Sequence, residues 1–188
     1  MPNILEEFLG SMGPDVSKKM SSSLNLDQNT VSQILPQLAP LILGGLKKQK
    51  DERGGQERVD HILNKYGSSE VLGNLDQLFE QKSKDQSPDP RLGGLLGDSG
   101  VQATDLIANK FKIDGGTAAK LIPMLAPIIL GFLTNKRDNQ GAGSSGIASI
   151  LDSDGDGSVL DDVAGMLLDG GKSSPLGNVL GGLFGGKN

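Results

Sequence analysis

The chain has 188 residues, a net charge of −5, no cysteine and a single histidine, His61. Without cysteine there are no disulfides, thiolate metal sites or cysteine nucleophiles, and one imidazole is too few for histidine-dependent zinc sites or triads. An acidic chain is also poorly suited to tracking phosphates, because nucleic-acid affinity rests on clustered Lys and Arg. Aromatic residues make up only 3% and glycine numbers 28, so the interior must be filled by Leu, Ile, Val, Met and Ala. Such residues suit helix-on-helix packing better than a sheet, and the fold class read from them is all-α.

Met1-Pro2-Asn3-Ile4-Leu5-Glu6-Glu7 lacks the basic start and apolar run of a secretory signal, which points to a cytoplasmic (bacterial) location. Ile4 to Leu9 has apolar residues at helical spacing and predicts a short amphipathic helix stopped by Gly10 and Gly13-Pro14. Val16 to Leu24 predicts a second helix. A turn over Asn25 to Asp27 follows, with Asp27 placed to cap a helix starting at Gln28. That helix is expected to be long and buried round most of its circumference, since Val31, Ile34, Leu35, Leu38, Ile42, Leu46 and their apolar neighbours exceed a single stripe. Pro36 and Pro40 each remove an amide donor and crowd a carbonyl, so a bend or split is expected there. Lys47-Lys48-Gln49-Lys50 then closes the helix with cations at its negative end.

Asp51 to Gln56 reads as a solvated loop. Val59, Ile62, Leu63 and Tyr66 predict a helix with Gly67 as its C-cap and His61 on its surface. Val71, Leu72, Leu75, Leu78 and Phe79 predict one further amphipathic segment, capped by Ser68 or Ser69. Gln81 to Arg91, polar and carrying Ser87-Pro88-Asp89-Pro90, is expected to be a mobile connection between two halves.

After Leu92-Gly93-Gly94-Leu95-Leu96-Gly97 the plan repeats. Val101 to Phe111 predicts the short helix, Asp114 the cap, and Thr117 to Lys136 the long helix with Pro123 and Pro127 inside it. One constant offset carries Pro36 onto Pro123, Leu38-Ala39-Pro40 onto Leu125-Ala126-Pro127, Leu43-Gly44 onto Leu130-Gly131, Asp27 onto Asp114 and Thr30 onto Thr117. Chance is a poor explanation for that many coincidences. The expected architecture is a helical bundle of two helix-turn-long-helix repeats, over residues 1–86 and 87–146, whose oily helices pack together. Residues 147–188 add an Asp/Gly cation loop, a short helix and a Gly-rich Leu/Gly/Phe tail.

The one stretch with specific chemistry is Asp152-Ser153-Asp154-Gly155-Asp156-Gly157-Ser158. Its carboxylates fall at loop positions 1, 3 and 5, glycine at 6 and the Ser158 carbonyl at 7, the first half of an EF-hand-type calcium loop. Position 12, which normally supplies a bidentate Glu, is Val163 here, so a shortened loop closed by Asp161, or second by Asp162, is expected. The expected ligand set for Ca2+ is Asp152, Asp154, Asp156, Ser158 and Asp161. The competing reading is an acidic turn whose Asp161 and Asp162 only stabilise a helix N-terminus. Either way the role is structural, since no nucleophile or acid/base pair accompanies the loop.

The duplicated Leu-Ala-Pro-x-Ile-Leu-Gly stretch, the Asp-rich loop and the Gly-Leu-Phe-Gly-Gly tail together resemble the YidB-like family of uncharacterised bacterial proteins. That resemblance implies a small all-helical bacterial protein and brings no catalytic residues with it. The leading functional expectation is a non-enzymatic scaffold that self-associates through surplus apolar surface and the tail from Leu176 onward. One alternative is helix-turn-helix nucleic-acid binding, in which Val16 to Leu24, the turn and Asn29 to Gln33 form the motif; the acidic balance opposes it, and no nucleic-acid partner is expected. Another is contact with a membrane surface through the tail, where Lys172 and Lys187 offer little basic anchoring. No transmembrane segment is expected, because the runs Leu38 to Leu46 and Leu125 to Leu133 fall short of the about 20 residues a span requires.

Overall fold

The computed structural model of the protein describes residues 4–139 together with Gly141, Gly146, Ile147 and Leu151. Among the described residues there are seven α-helices, two short 3-10 segments and no strand. The cation loop and the tail lie outside the described residues.

Helices α1 (Ile4–Ser11) and α2 (Gly13–Leu24) are separated by Met12 alone. Pro14 stands in the first turn of α2, where a helix has no use for its missing N–H, so Gly13-Pro14 opens α2 instead of merely ending α1. The chain leaves α2 through Asn25 in the left-handed region, at φ 53°, and the Leu26 N–H returns to the Ser21 carbonyl at 2.9 Å. Asp27 then caps α3 (Gln28–Arg53), its carboxylate accepting the Thr30 N–H at 3.0 Å.

α3 is continuous through Pro36 and Pro40, so the split that the prolines allow does not occur. An interior proline costs about 3 kcal/mol in an isolated helix, but α3 is buried along Ile34, Leu38, Ile42 and Leu46, and tertiary packing holds it together. The solvated loop expected over Asp51 to Gln56 is also absent. α3 runs on to Arg53, with Lys47 donating to Asp51 across one helical turn at 3.0 Å, and Gly54, at φ 133°, alone separates it from α4 (Gly55–Tyr66). Lys47 and Lys48 therefore sit inside the helix, while Lys50 and Arg53 stand in its last turn. His61 is exposed on α4 and Gly67 is its C-cap, as the spacing predicts, whereas Tyr66 points outward and is 56% exposed.

Val71 to Phe79 forms two elements and not one. Ser68 caps a 3-10 segment (Ser69–Gly73) by accepting the Glu70 N–H at 3.3 Å, and after Asn74 the chain enters α5 (Leu75–Ser83). The connection to the second half accordingly starts at Lys84, and it contains a 3-10 turn (Leu92–Gly94). α6 (Asp98–Phe111) ends on Lys112 at φ 56°, with the Ile113 N–H returning to Ala108 at 3.0 Å. Asp114 accepts the Thr117 N–H at 3.1 Å and opens α7 (Gly115–Asn139), which is continuous through Pro123 and Pro127.

α3 and α7 lie against one another in the middle of the bundle, with α2 and α4 on α3, and α4, α5 and α6 on α7. α7 is long and apolar enough to cross a membrane by length and composition, a property that the shorter count from Leu125 to Leu133 misses, and most of that apolar window is buried inside the bundle. Two glycines permit the closest approaches. A Cβ on Gly131 of α7 would stand 2.7 Å from the Ser68 carbonyl oxygen, and one on Gly67 would stand 2.8 Å from that of Leu130. The Gly67-Ser68 turn therefore rests backbone to backbone on α7.

Candidate functional site

The positions that the constant offset relates make reciprocal contacts across the bundle. Phe8 of α1 packs edge-on against Phe132 of α7, with ring centroids 5.5 Å apart. The offset carries Phe8 onto Leu95 and Gly45 onto Phe132, and these partners also meet: a Cβ on Gly45 would stand 2.9 Å from the Leu95 carbonyl oxygen and 2.5 Å from the Leu96 side chain. Likewise, Lys136 pairs with Glu7, while Gln49 donates to the Gly94 carbonyl at 3.4 Å.

These paired environments differ in one respect. Around Leu5, Phe8, Ala39, Leu43 and Phe132 only about 10 Å3 of free space remains. At the counterpart, Leu92, Leu95, Ala126 and Leu130 line a groove of about 360 Å3. Leucine and glycine stand there in place of two phenylalanines; Gly45 is covered by Leu95 and Leu96, and the groove lies beside Leu95 on the side away from it.

The groove takes its apolar lining from Ile62 of α4, Pro123, Pro127 and Leu130 of α7, and Leu92 and Leu95 of the connection. Arg53, Arg58 and Lys82 also line it, as do Asp85 and Asp89. The two carboxylates are engaged by their own loop: Asp85 accepts the Ser87 N–H at 2.9 Å, and Asp89 accepts those of Arg91 and Gly93 at 3.0 and 2.9 Å. Arg58 donates to the neutral side chain of Gln49 at 3.2 Å. Among the described residues none of the three cations is paired with a carboxylate.

Other charges are committed to holding elements together. Arg137 of α7 donates to Asp60 at 3.2 Å and to Asn64 at 2.8 Å, both on α4, and to Asp138 at 2.7 Å. Its hydrogen bond to Asp138 raises the guanidinium further above its ordinary range and in turn holds the Asp138 carboxyl below the usual carboxylate value. The Glu80 carboxyl is lowered in the same way by its hydrogen bond from Lys84. Lys19 of α2 pairs with Asp76 of α5 at 2.5 Å, and Lys120 of α7 donates to the Ser83 carbonyl at the end of α5 at 2.5 Å.

The expected metal ligands Asp152, Asp154, Asp156, Ser158 and Asp161, with Asp162, lie outside the described residues. Among the described residues no group of three or more His, Asp or Glu side chains is placed to hold a metal ion. The groove was not legible in the sequence, because its lining comes from α3, α4, α5, α7 and the connection, which are distant from one another in the chain.

A family model described as a bacterial protein of unknown function (DUF937) matches residues 6–136 and 134–188. No curated protein and no solved structure matches the chain.

Proposed function

The chain belongs to the DUF937 family of bacterial proteins of unknown function, and from that premise we propose that it is a non-enzymatic, self-associating helical scaffold of the cytoplasm. In this reading the body is a duplicated helix-turn-long-helix unit arranged about an internal pseudo-twofold axis, and the C-terminal region supplies a Ca2+-type staple and an adhesive tail. The observation that supports the duplicated body is the pair of reciprocal contacts within the chain, Phe8 on Phe132 with Leu95 on Gly45, and Glu7 on Lys136 with Gly94 on Gln49. Reciprocity of this kind, in which each half gives the other what it receives, is what a twofold interface between two copies produces.

Self-association draws its support from the distribution of apolar surface. Tyr66 is the one large hydrophobic residue that is exposed among the described residues. A sticky face must therefore come chiefly from elsewhere, and Leu176, Val179, Leu180, Leu183 and Phe184 are the concentration of apolar side chains that the body does not account for. Deleting the chain from Leu176 onward and comparing both proteins by size exclusion with light scattering tests this. The intact protein is expected to exceed monomeric mass and the truncated one to be monomeric. Monomeric mass for both would remove self-association.

The Ca2+ reading rests on the crowding of Asp152, Asp154 and Asp156, which repel one another unless solvated or sharing a cation. Calorimetric titration is expected to give saturable Ca2+ binding that Asp154→Ala and Asp156→Ala each abolish. The nucleic-acid alternative has less support, because Lys19 of the α2-turn-α3 motif is paired with Asp76 and Val31, Ile34 and Leu35 of its second helix are buried. The lipid alternative rests on the tail alone.

A further inference from the structure

We propose that the groove between α4, α7 and the Lys84 to Gly97 connection binds an anionic amphiphile, specifically a medium-chain fatty carboxylate. Its chain would lie on Leu92, Leu95, Pro123 and Pro127, and its carboxylate would face Arg53, Arg58 and Lys82. The first ground is volume: about 360 Å3 falls at the lower end of the roughly 300–1,000 Å3 of small-molecule sites. The counterpart position on the other side of the bundle, around Leu5, Phe8, Ala39 and Leu43, leaves only about 10 Å3, so the space beside Leu92, Leu95, Ala126 and Leu130 belongs to this side alone.

Charge complementarity selects the head group. Three of the lining cations, Arg53, Arg58 and Lys82, have no carboxylate partner among the described residues, and the two lining acids, Asp85 and Asp89, accept the backbone amides of Ser87, Arg91 and Gly93. A carboxylate entering there meets guanidinium donors that can bind it through two parallel hydrogen bonds. Pro123, Pro127, Leu92, Leu95 and Leu130 make much of the lining apolar, so a molecule that joins an apolar chain to an anionic head matches both features.

This binding is independent of self-association, and the two are read by different measurements. Titration of full-length protein with decanoate, below its micelle-forming concentration, is expected to show one saturable site per chain. Decylamine, with the same chain and the opposite charge, should bind at least about tenfold more weakly. Leu95→Phe, which puts a larger side chain in the lining, should lower decanoate affinity by about tenfold or more while circular dichroism shows an unchanged helical fold. The double variant Arg53→Ala and Lys82→Ala should weaken binding several-fold, and if Leu95→Phe fails to fold this variant carries the test. Absence of saturable binding, equal affinity for decylamine, or unchanged affinity in a folded variant would each overturn the proposal. Binding that appears only after removal of the chain from Leu176 onward would assign the groove to the protein's own tail and overturn it equally.

Discussion

At the scale of single residues, the glycines separate into those the packing requires and those it does not. A helical glycine is normally worse than alanine by about 1 kcal/mol, so Gly to Ala in an open position stabilises. Gly10 in α1 is such a position, with nothing within 4 Å of where an added methyl group would stand. Gly131 is the opposite case: its Cβ would meet the Ser68 carbonyl oxygen at 2.7 Å, and a backbone atom cannot swing aside as a side chain can. Gly10→Ala is therefore expected to gain about 0.5–1 kcal/mol, while Gly131→Ala loses about 1–3 kcal/mol through overpacking. Urea denaturation with unchanged m-values and midpoints moving in opposite directions is the check. Equal shifts would mean that the Ser68 turn does not rest on α7.

At the scale of elements, the two helix-turn-helix joints are built from the same parts. Each leaves its first helix through a left-handed non-glycine residue, Asn25 or Lys112, and each enters its second under an aspartate that accepts the N–H three residues on. The Asp27 and Asp114 caps were legible because capping depends on a local sequence relation. Asp27→Ala and Asp114→Ala are each expected to cost about 1 kcal/mol, and Asn at either position should recover most of it, since an amide oxygen caps as well as a carboxylate. Thermal unfolding of the four variants measures this, and an Asn as damaging as Ala would show that the side chain does something other than cap. Element boundaries were less legible. The polar run Asp51 to Gln56 looks like a loop, yet it is helix up to Arg53, because the Lys47–Asp51 pair and burial of the preceding turns extend α3 until Gly54 allows the chain to turn. Gly73 and Asn74 divide the following segment although the apolar spacing runs straight across them.

At the scale of the whole molecule, α3 and α7 share one core, and the halves grip each other through contacts that run both ways. The sequence by itself determined that the described chain is helical, that its two long helices are central, that Asp27 and Asp114 cap them, and that His61 is a surface residue. Each of these follows from composition, apolar periodicity or a capping side chain, all of which act over a few residues. Only the tertiary structure decided that both proline-bearing helices stay continuous, because the packing that offsets their lost hydrogen bonds comes from distant elements. Only it decided that Phe8 seats against Phe132 while Gly45 is covered by Leu95 and Leu96, and that a groove opens beside Leu92 and Leu95 but not beside Leu5 and Phe8. That difference depends on which residues face each other across the fold, and a linear chain does not record facing partners.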